Sequence, residues 1–182
     1  MRVTRTFIFV DISGFTKFTA STTDEVLTDL LKRWREATRD IAEEFGVRID
    51  KWLGDGCMVI AVEQESGIRF ALSLQARGSD ACAPLSMRIG IVTGLALQFQ
   101  GEDYIGEAVN LASRLCDAAD PGQVLMPDGD AIELPAGVTA SSVPPLTLRG
   151  FDAPVSVVNL TGGAEAGPSD TGELWTREGF PV

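Results

Sequence analysis

Two aspartates occupy backbone settings that present a carboxylate. Asp11 follows the apolar run 3–10 and precedes Ser13-Gly14, and Asp55 stands between Gly54 and Gly56. The chain contains no histidine, which excludes Ser–His and Cys–His nucleophilic catalysis and nearly every zinc hydrolase site. Chemistry must rest instead on carboxylates, lysines, arginines and hard cations with oxygen ligands. Two carboxylates brought to one spot suit Mg²⁺ or Mn²⁺. Taken singly, each has a plainer account: Asp11 as a residue that starts a helix, Asp55 as an ordinary Asp-Gly turn residue.

Three further polar residues stand out. Lys51 lies four residues before Asp55 on a β-like segment, where a lone lysine is by default a solvated cation. Asn110 and Arg114 are four apart in the run 107–118, hence on one face of a helix. An asparagine inside an apolar helical run lowers helix propensity and needs a partner if buried. Arg114 on that face supplies a planar cation suited to phosphate. The plainer account of both is a partly solvated helix.

These residues must be positioned by the surrounding elements. Residues 3–10 are β-branched and aromatic and predict a buried strand, with a loop through Asp11–Thr16. Thr22 and Glu25 have capping-box spacing, and apolar residues from Val26 to Phe45 recur at helical spacing before Gly46. Segments 47–53 and 57–62 predict a hairpin around Gly54-Asp55-Gly56. A helix over about 66–77 follows, then a strand over 87–92, a break at Gly94, and a strand over 95–99. The helix 107–118 and short strands at 124–126, 146–148 and 155–160 complete the reading. The order predicts an α+β fold: a ferredoxin-like βαββαβ core with extra C-terminal strands and helix, a mixed sheet, and helices on one face.

Taken together, these segments resemble the class III adenylate/guanylate cyclase catalytic domain. The resemblance is carried by Phe9-Val10-Asp11-Ile12-Ser13-Gly14-Phe15-Thr16, Lys51-Trp52-Leu53-Gly54-Asp55-Gly56 and Arg88-Ile89-Gly90-Ile91-Val92-Thr93-Gly94. Asp103-Tyr104-Ile105-Gly106, running into Val109-Asn110-Leu111-Ala112-Ser113-Arg114, and the later Leu148–Val155 stretch extend it. It implies that Asp11 and Asp55 hold two divalent cations, Mg²⁺ or Mn²⁺, with the Ile12 carbonyl as a further ligand. Lys51 and Asp103 match the pair that reads adenine, Asn110 the residue that orients the ribose, and Arg114 the transition-state arginine. The chemistry agrees, since lysine donates to adenine N1 and a carboxylate accepts from the 6-amino group. Guanine offers the reverse pattern.

The activity implied is an adenylate cyclase that makes 3′,5′-cyclic AMP and pyrophosphate from ATP, with sites shared across a homodimer. The alternatives are a guanylate cyclase or a catalytically inactive nucleotide-binding module of the same fold. Where relatives often place a lysine toward the terminal phosphates, this chain has Leu148-Arg149-Gly150-Phe151. Arg149 is either that cation or a strand cation, and Gly14 and Phe15 are carried as further phosphate contacts. The domain is expected over 1–161, with 162–182 a flexible C-terminal tail in which Trp175 and Phe180 could dock back. The pattern begins within ten residues of Met1, so control is expected from dimerisation and metal supply or from a partner domain outside this chain.

Composition narrows the partners. Acidic residues outnumber basic ones, 26 to 15, for a formal net charge of −11. Such a surface repels nucleic acid and anionic membrane, so neither is expected as a partner. ATP too would be repelled unless cations reverse the field locally. Cys57, Cys82 and Cys116 lack CxxC spacing and read as buried apolar residues in a reducing compartment. No apolar run approaches the roughly 20 residues that span a bilayer, and a cytoplasmic location is expected.

Overall fold

The computed structural model describes residues 1–99 and 103–162. The order is β1 (Arg2–Ser13), α1 (Phe15–Thr19), α2 (Asp24–Glu44), β2 (Arg48–Leu53), β3 (Gly56–Ala61), α3 (Gln64–Arg77), β4 (Ser86–Phe99), β5 (Asp103–Ile105), α4 (Glu107–Ala118), β6 (Val124–Pro127), β7 (Val138–Leu146) and β8 (Val155–Gly162). The strands form one sheet in the order β2-β3-β1-β4-β6-β8-β7, with β5 paired to β4. Among the described strands only the β4–β6 pair is parallel; the others are antiparallel. The sheet is mixed and the fold α+β, as the order of elements predicted.

Alternation along β1 and β4 separates two cores. Ile8, Val10, Ile12, Met87, Ile89 and Ile91 face α2 and α3, which contribute Leu30, Trp34, Ile68 and Leu74. Phe7 and Val92 face the other side, where α4 contributes Ala108, Ala112 and Leu115. The expectation of helices on one face is therefore corrected: α4 packs opposite α2 and α3. Its approach depends on Gly90, where a Cβ would lie 2.3 Å from the Ala112 carbonyl oxygen and 2.5 Å from the Cys116 nitrogen. A helix this close needs a glycine in the strand beneath it.

Other boundaries also differ from expectation. Helix α2 is capped by Thr23, whose hydroxyl accepts from Val26 N at 3.4 Å, so Thr22 and Glu25 do not form the capping box. Gly94 does not break β4, which runs unbroken from Ser86 to Phe99. Phe15 and Thr16 open the short helix α1 rather than lying in a loop. Strand β7 includes Pro144 and Pro145, which an interior strand would not tolerate but the sheet's edge does. Leu148 lies beyond it on the turn into β8. The expected tail, with Trp175 and Phe180, falls outside the described residues beyond Gly162.

Candidate active site

Asp11 lies within β1, paired with Gly56 of β3 on one side and Arg88 of β4 on the other. Its parity places it on the α4 face. Arg88 reaches it with Nε at 2.9 Å and Nη2 at 2.7 Å, both to Oδ2. The remaining guanidinium nitrogen donates to the Asp117 carbonyl at 2.6 Å, tying the pair to the end of α4. Arg88 lies in a segment that carries the family resemblance, but its residue type and spacing alone give it no role. The signal was a cation in an otherwise apolar strand, and only the β1–β4 register says what it faces.

Asp55 is brought beside Asp11 by the β2–β3 turn, whose Asp55 carbonyl accepts from Ile12 N at 3.3 Å. In an antiparallel strand N–H and C=O of one residue point the same way, so the Ile12 carbonyl is directed to this edge too. Gly56 permits the approach, since a Cβ there would stand 2.7 Å from the Val10 carbonyl oxygen. Burial pushes the Asp55 carboxyl above the ordinary aspartate range, the Asp11 charge adds to this, and Arg88 opposes it. From the α2 side, Arg35 donates to the Gly54 carbonyl at 3.0 Å, while Arg35 and Arg39 lie 4.9 and 5.2 Å from the Trp52 ring. The turn is thus held from behind.

The donor set fits Mg²⁺ or Mn²⁺ as a half-shell. Two repelling carboxylates and a backbone carbonyl are hard oxygen ligands, and such ions commonly take the rest from water and substrate phosphates. Among the described residues no three carboxylate, cysteine or histidine side chains gather as a closed metal cage. A cavity of about 120 Å³ adjoins Asp11, lined also by Phe9, Gly56, Ser113, Cys116 and Asp117.

Lys51 and Asp103 come together from β2 and β5, 52 residues apart in the chain, with Lys51 Nζ bonded to Asp103 Oδ1. The β4–β5 arm makes this possible by folding across the α4 face: Tyr104 meets Phe7 edge-on at 5.6 Å, and its hydroxyl accepts from Gln98 Nε2 at 3.2 Å. Asn110 is exposed on α4, so it needs no buried partner. Arg114, on the same face, contacts Asp117 Oδ2 at 3.3 Å. Gly14 begins α1 just past Asp11, with φ 79°, and Phe15 packs against the α2–α3 core. Arg149 sits exposed on the turn before β8, not in a strand. The chain therefore groups Asp11 with Asp55, Lys51 with Asp103, and Asn110 with Arg114. Among the described residues no hydrogen bond or ion pair joins one group to another.

The adenylate and guanylate cyclase catalytic domain family matches residues 3–150. This chain belongs to that family. The cyclase domain is 38% identical over 171 residues to an uncharacterised protein of Mycobacterium tuberculosis, covering 90% of this chain and 43% of that protein. It is 33% identical over 127 residues to an adenylate cyclase of Streptomyces coelicolor, covering 69% of this chain and 33% of the other. It spans less than half the length of these curated relatives. Among solved structures, the adenylyl cyclase CyaB of P. aeruginosa is 27% identical with a TM-score of 0.73, covering 88% of this chain and 95% of that one. The guanylyl cyclase Cya2 shares the fold at 22% identity and a TM-score of 0.71, covering 88% and 92%. No described helix is long and apolar enough to cross a membrane.

Proposed function

We propose that the cyclase domain is an adenylate cyclase converting ATP to 3′,5′-cyclic AMP and pyrophosphate. The observation that carries the reading is the Lys51–Asp103 pair, one donor cation beside one acceptor carboxylate. That pattern complements adenine N1 and the 6-amino group and opposes guanine, whose N1 donates and whose O6 accepts. Adenylate cyclases among the relatives support it.

In this reading Asp11, Asp55 and the Ile12 carbonyl hold the divalent ions and Asn110 orients the ribose. Arg114 meets charge developing on the α-phosphate, a role worth roughly 10³–10⁵ in rate in related phosphoryl transfers. When bound, the ions supply Lewis-acid activation of the 3′-hydroxyl and neutralise the triphosphate. The 3′-oxygen bonds to the α-phosphorus, its proton passes to solvent, and the bond to the β-phosphate oxygen breaks with loss of pyrophosphate.

Among the described residues no direct hydrogen bond or ion pair joins the Lys51–Asp103 pair to Asp11 and Asp55 or to Asn110 and Arg114, which supports a site completed by a second copy. Leu97 and Ile105, cross-strand partners on the β4–β5 arm, are 40% and 58% exposed, with Leu95 and Phe99 beside them. Such a strip is what a partner subunit would cover. Domain bounds of 1–161 and a cytoplasmic setting remain part of this proposal.

The test is direct. Purified protein with ATP and Mn²⁺ should form cyclic AMP faster than GTP yields cyclic GMP, and Asp11→Ala should lose at least about 10²-fold in rate. Absence of cyclic AMP, with Asp11→Ala no different from wild type, would remove the reading.

A further inference from the structure

Strand β2 carries a bulge at Asp50. Ile49 pairs with Val59 and Lys51 with Met58, leaving Asp50 as the extra residue. In an unbroken strand Lys51 would share the face of Ile49, against α2 and α3. The bulge moves it to the face of Met58, where Arg48, Tyr104 and Asp103 also lie.

The Asp50 side chain is only 3% exposed. Its Oδ1 accepts from Arg48 Nη2 at 2.6 Å, while Oδ2 is buried with no hydrogen-bond donor among the described residues. A carboxylate oxygen kept dry and undonated is unfavourable and calls for an explanation. Arg48 in turn lies 5.9 Å from the Tyr104 ring, next to Asp103. Arg48, Asp50, Lys51 and Asp103 therefore alternate in sign behind the base-reading pair. Burial raises the Asp50 carboxyl above its ordinary range, with Arg48 and Lys51 opposing that shift and Asp103 adding to it.

We propose that Asp50 is a positioning residue for purine recognition, its buried Oδ2 accepting one N–H of Lys51 when a purine binds. An ammonium has three donors. One engages the ring nitrogen, one Asp50, and the third remains with Asp103. The Asp103 carboxylate then keeps an oxygen for the exocyclic amine. The inference rests on Lys51 and Asp103 being the base readers.

The test uses Asp50→Asn, which keeps the shape and removes the charge. KM and kcat are measured for ATP and GTP, with dissociation constants for non-hydrolysable analogues of both. The ATP KM and the ATP-analogue constant should rise about tenfold, as expected for loss of a charge-assisted hydrogen bond. The ATP-over-GTP preference should fall by a similar factor, and kcat should change less than about twofold, because the contact serves ground and transition states alike. A general loosening would instead lower kcat and weaken both analogues equally; that result overturns the proposal. If Asp50→Asn melts early, Asp50→Ser, which also removes the carboxylate, must give the same split. A wild type without purine preference in turnover and binding sinks the base-reader assignment and this inference together. A wild type that prefers ATP, with Asp50→Asn unchanged, removes only the role of Asp50.

Discussion

Arg88 grips Asp11 across β1 and β4, two of its nitrogens converging on one carboxylate oxygen at 2.7 and 2.9 Å. Their side chains are 26% and 27% exposed, so solvent screens the pair only in part. Arg88 occupies the place where a cation relieves repulsion between Asp11 and Asp55.

Removing that arginine should therefore make the fold lean on divalent ions. With chelator present, Arg88→Ala should lose roughly 1–3 kcal/mol, the penalty for stranding a half-buried charge. Mn²⁺ should then restore more stability to the variant than to wild type. Thermal melts with and without Mn²⁺ measure the difference, and an equal metal response in both proteins contradicts the account.

A site shared between copies has a stoichiometric signature. Asp11→Ala and Lys51→Ala should each be nearly inactive alone. Mixed in equal amounts, half the randomly formed dimers carry both variants, each with one intact site of two. Recovery should approach roughly a quarter of wild-type activity per chain. No recovery, despite exchange shown by a tagged copy, means the site is built within one chain.

Stability should also depend on Asp130. Its Oδ2 accepts from Thr93 N at 3.0 Å, and its carbonyl accepts from Gln64 Nε2 at 3.0 Å. Burial raises its carboxyl above the ordinary value, partly offset by the Thr93 N–H. As pH rises past about 4 the unfolded chain releases this proton first. The native state then binds more protons than the unfolded, so this term weakens folding until pH passes the raised native value. Asp130→Asn keeps an acceptor and does not titrate. It should be more stable than wild type at neutral pH, by less than ~1 kcal/mol at this half-buried site, with the gain vanishing below about pH 4. Denaturation series at pH 4 and pH 7 decide it; a gain that persists undiminished in acid refutes the assignment.

Much of the fold was legible because its signals are local. Apolar spacing marked α2, β-branched and aromatic residues marked β1, and Gly54-Asp55-Gly56 marked the hairpin turn. Boundaries set by single contacts were not, such as the Thr23 cap. The passage of β4 through Gly94 depends on pairing with β1, where Arg5 faces Gly94. No window of a dozen residues contains that information.

For the site, the residue types were enough to exclude histidine chemistry and to nominate carboxylates with hard cations. Which face each side chain occupies was a different matter. Side chains on a strand alternate, so a one-residue bulge at Asp50 decides whether Lys51 looks toward α4 or away from it. That the arm carrying Asp103 folds back to reach Lys51, and that Arg88 lands opposite Asp11, follow from the pairing of distant strands. Such pairings are set by many weak contacts summed over the whole sheet, and only the assembled chain expresses that sum.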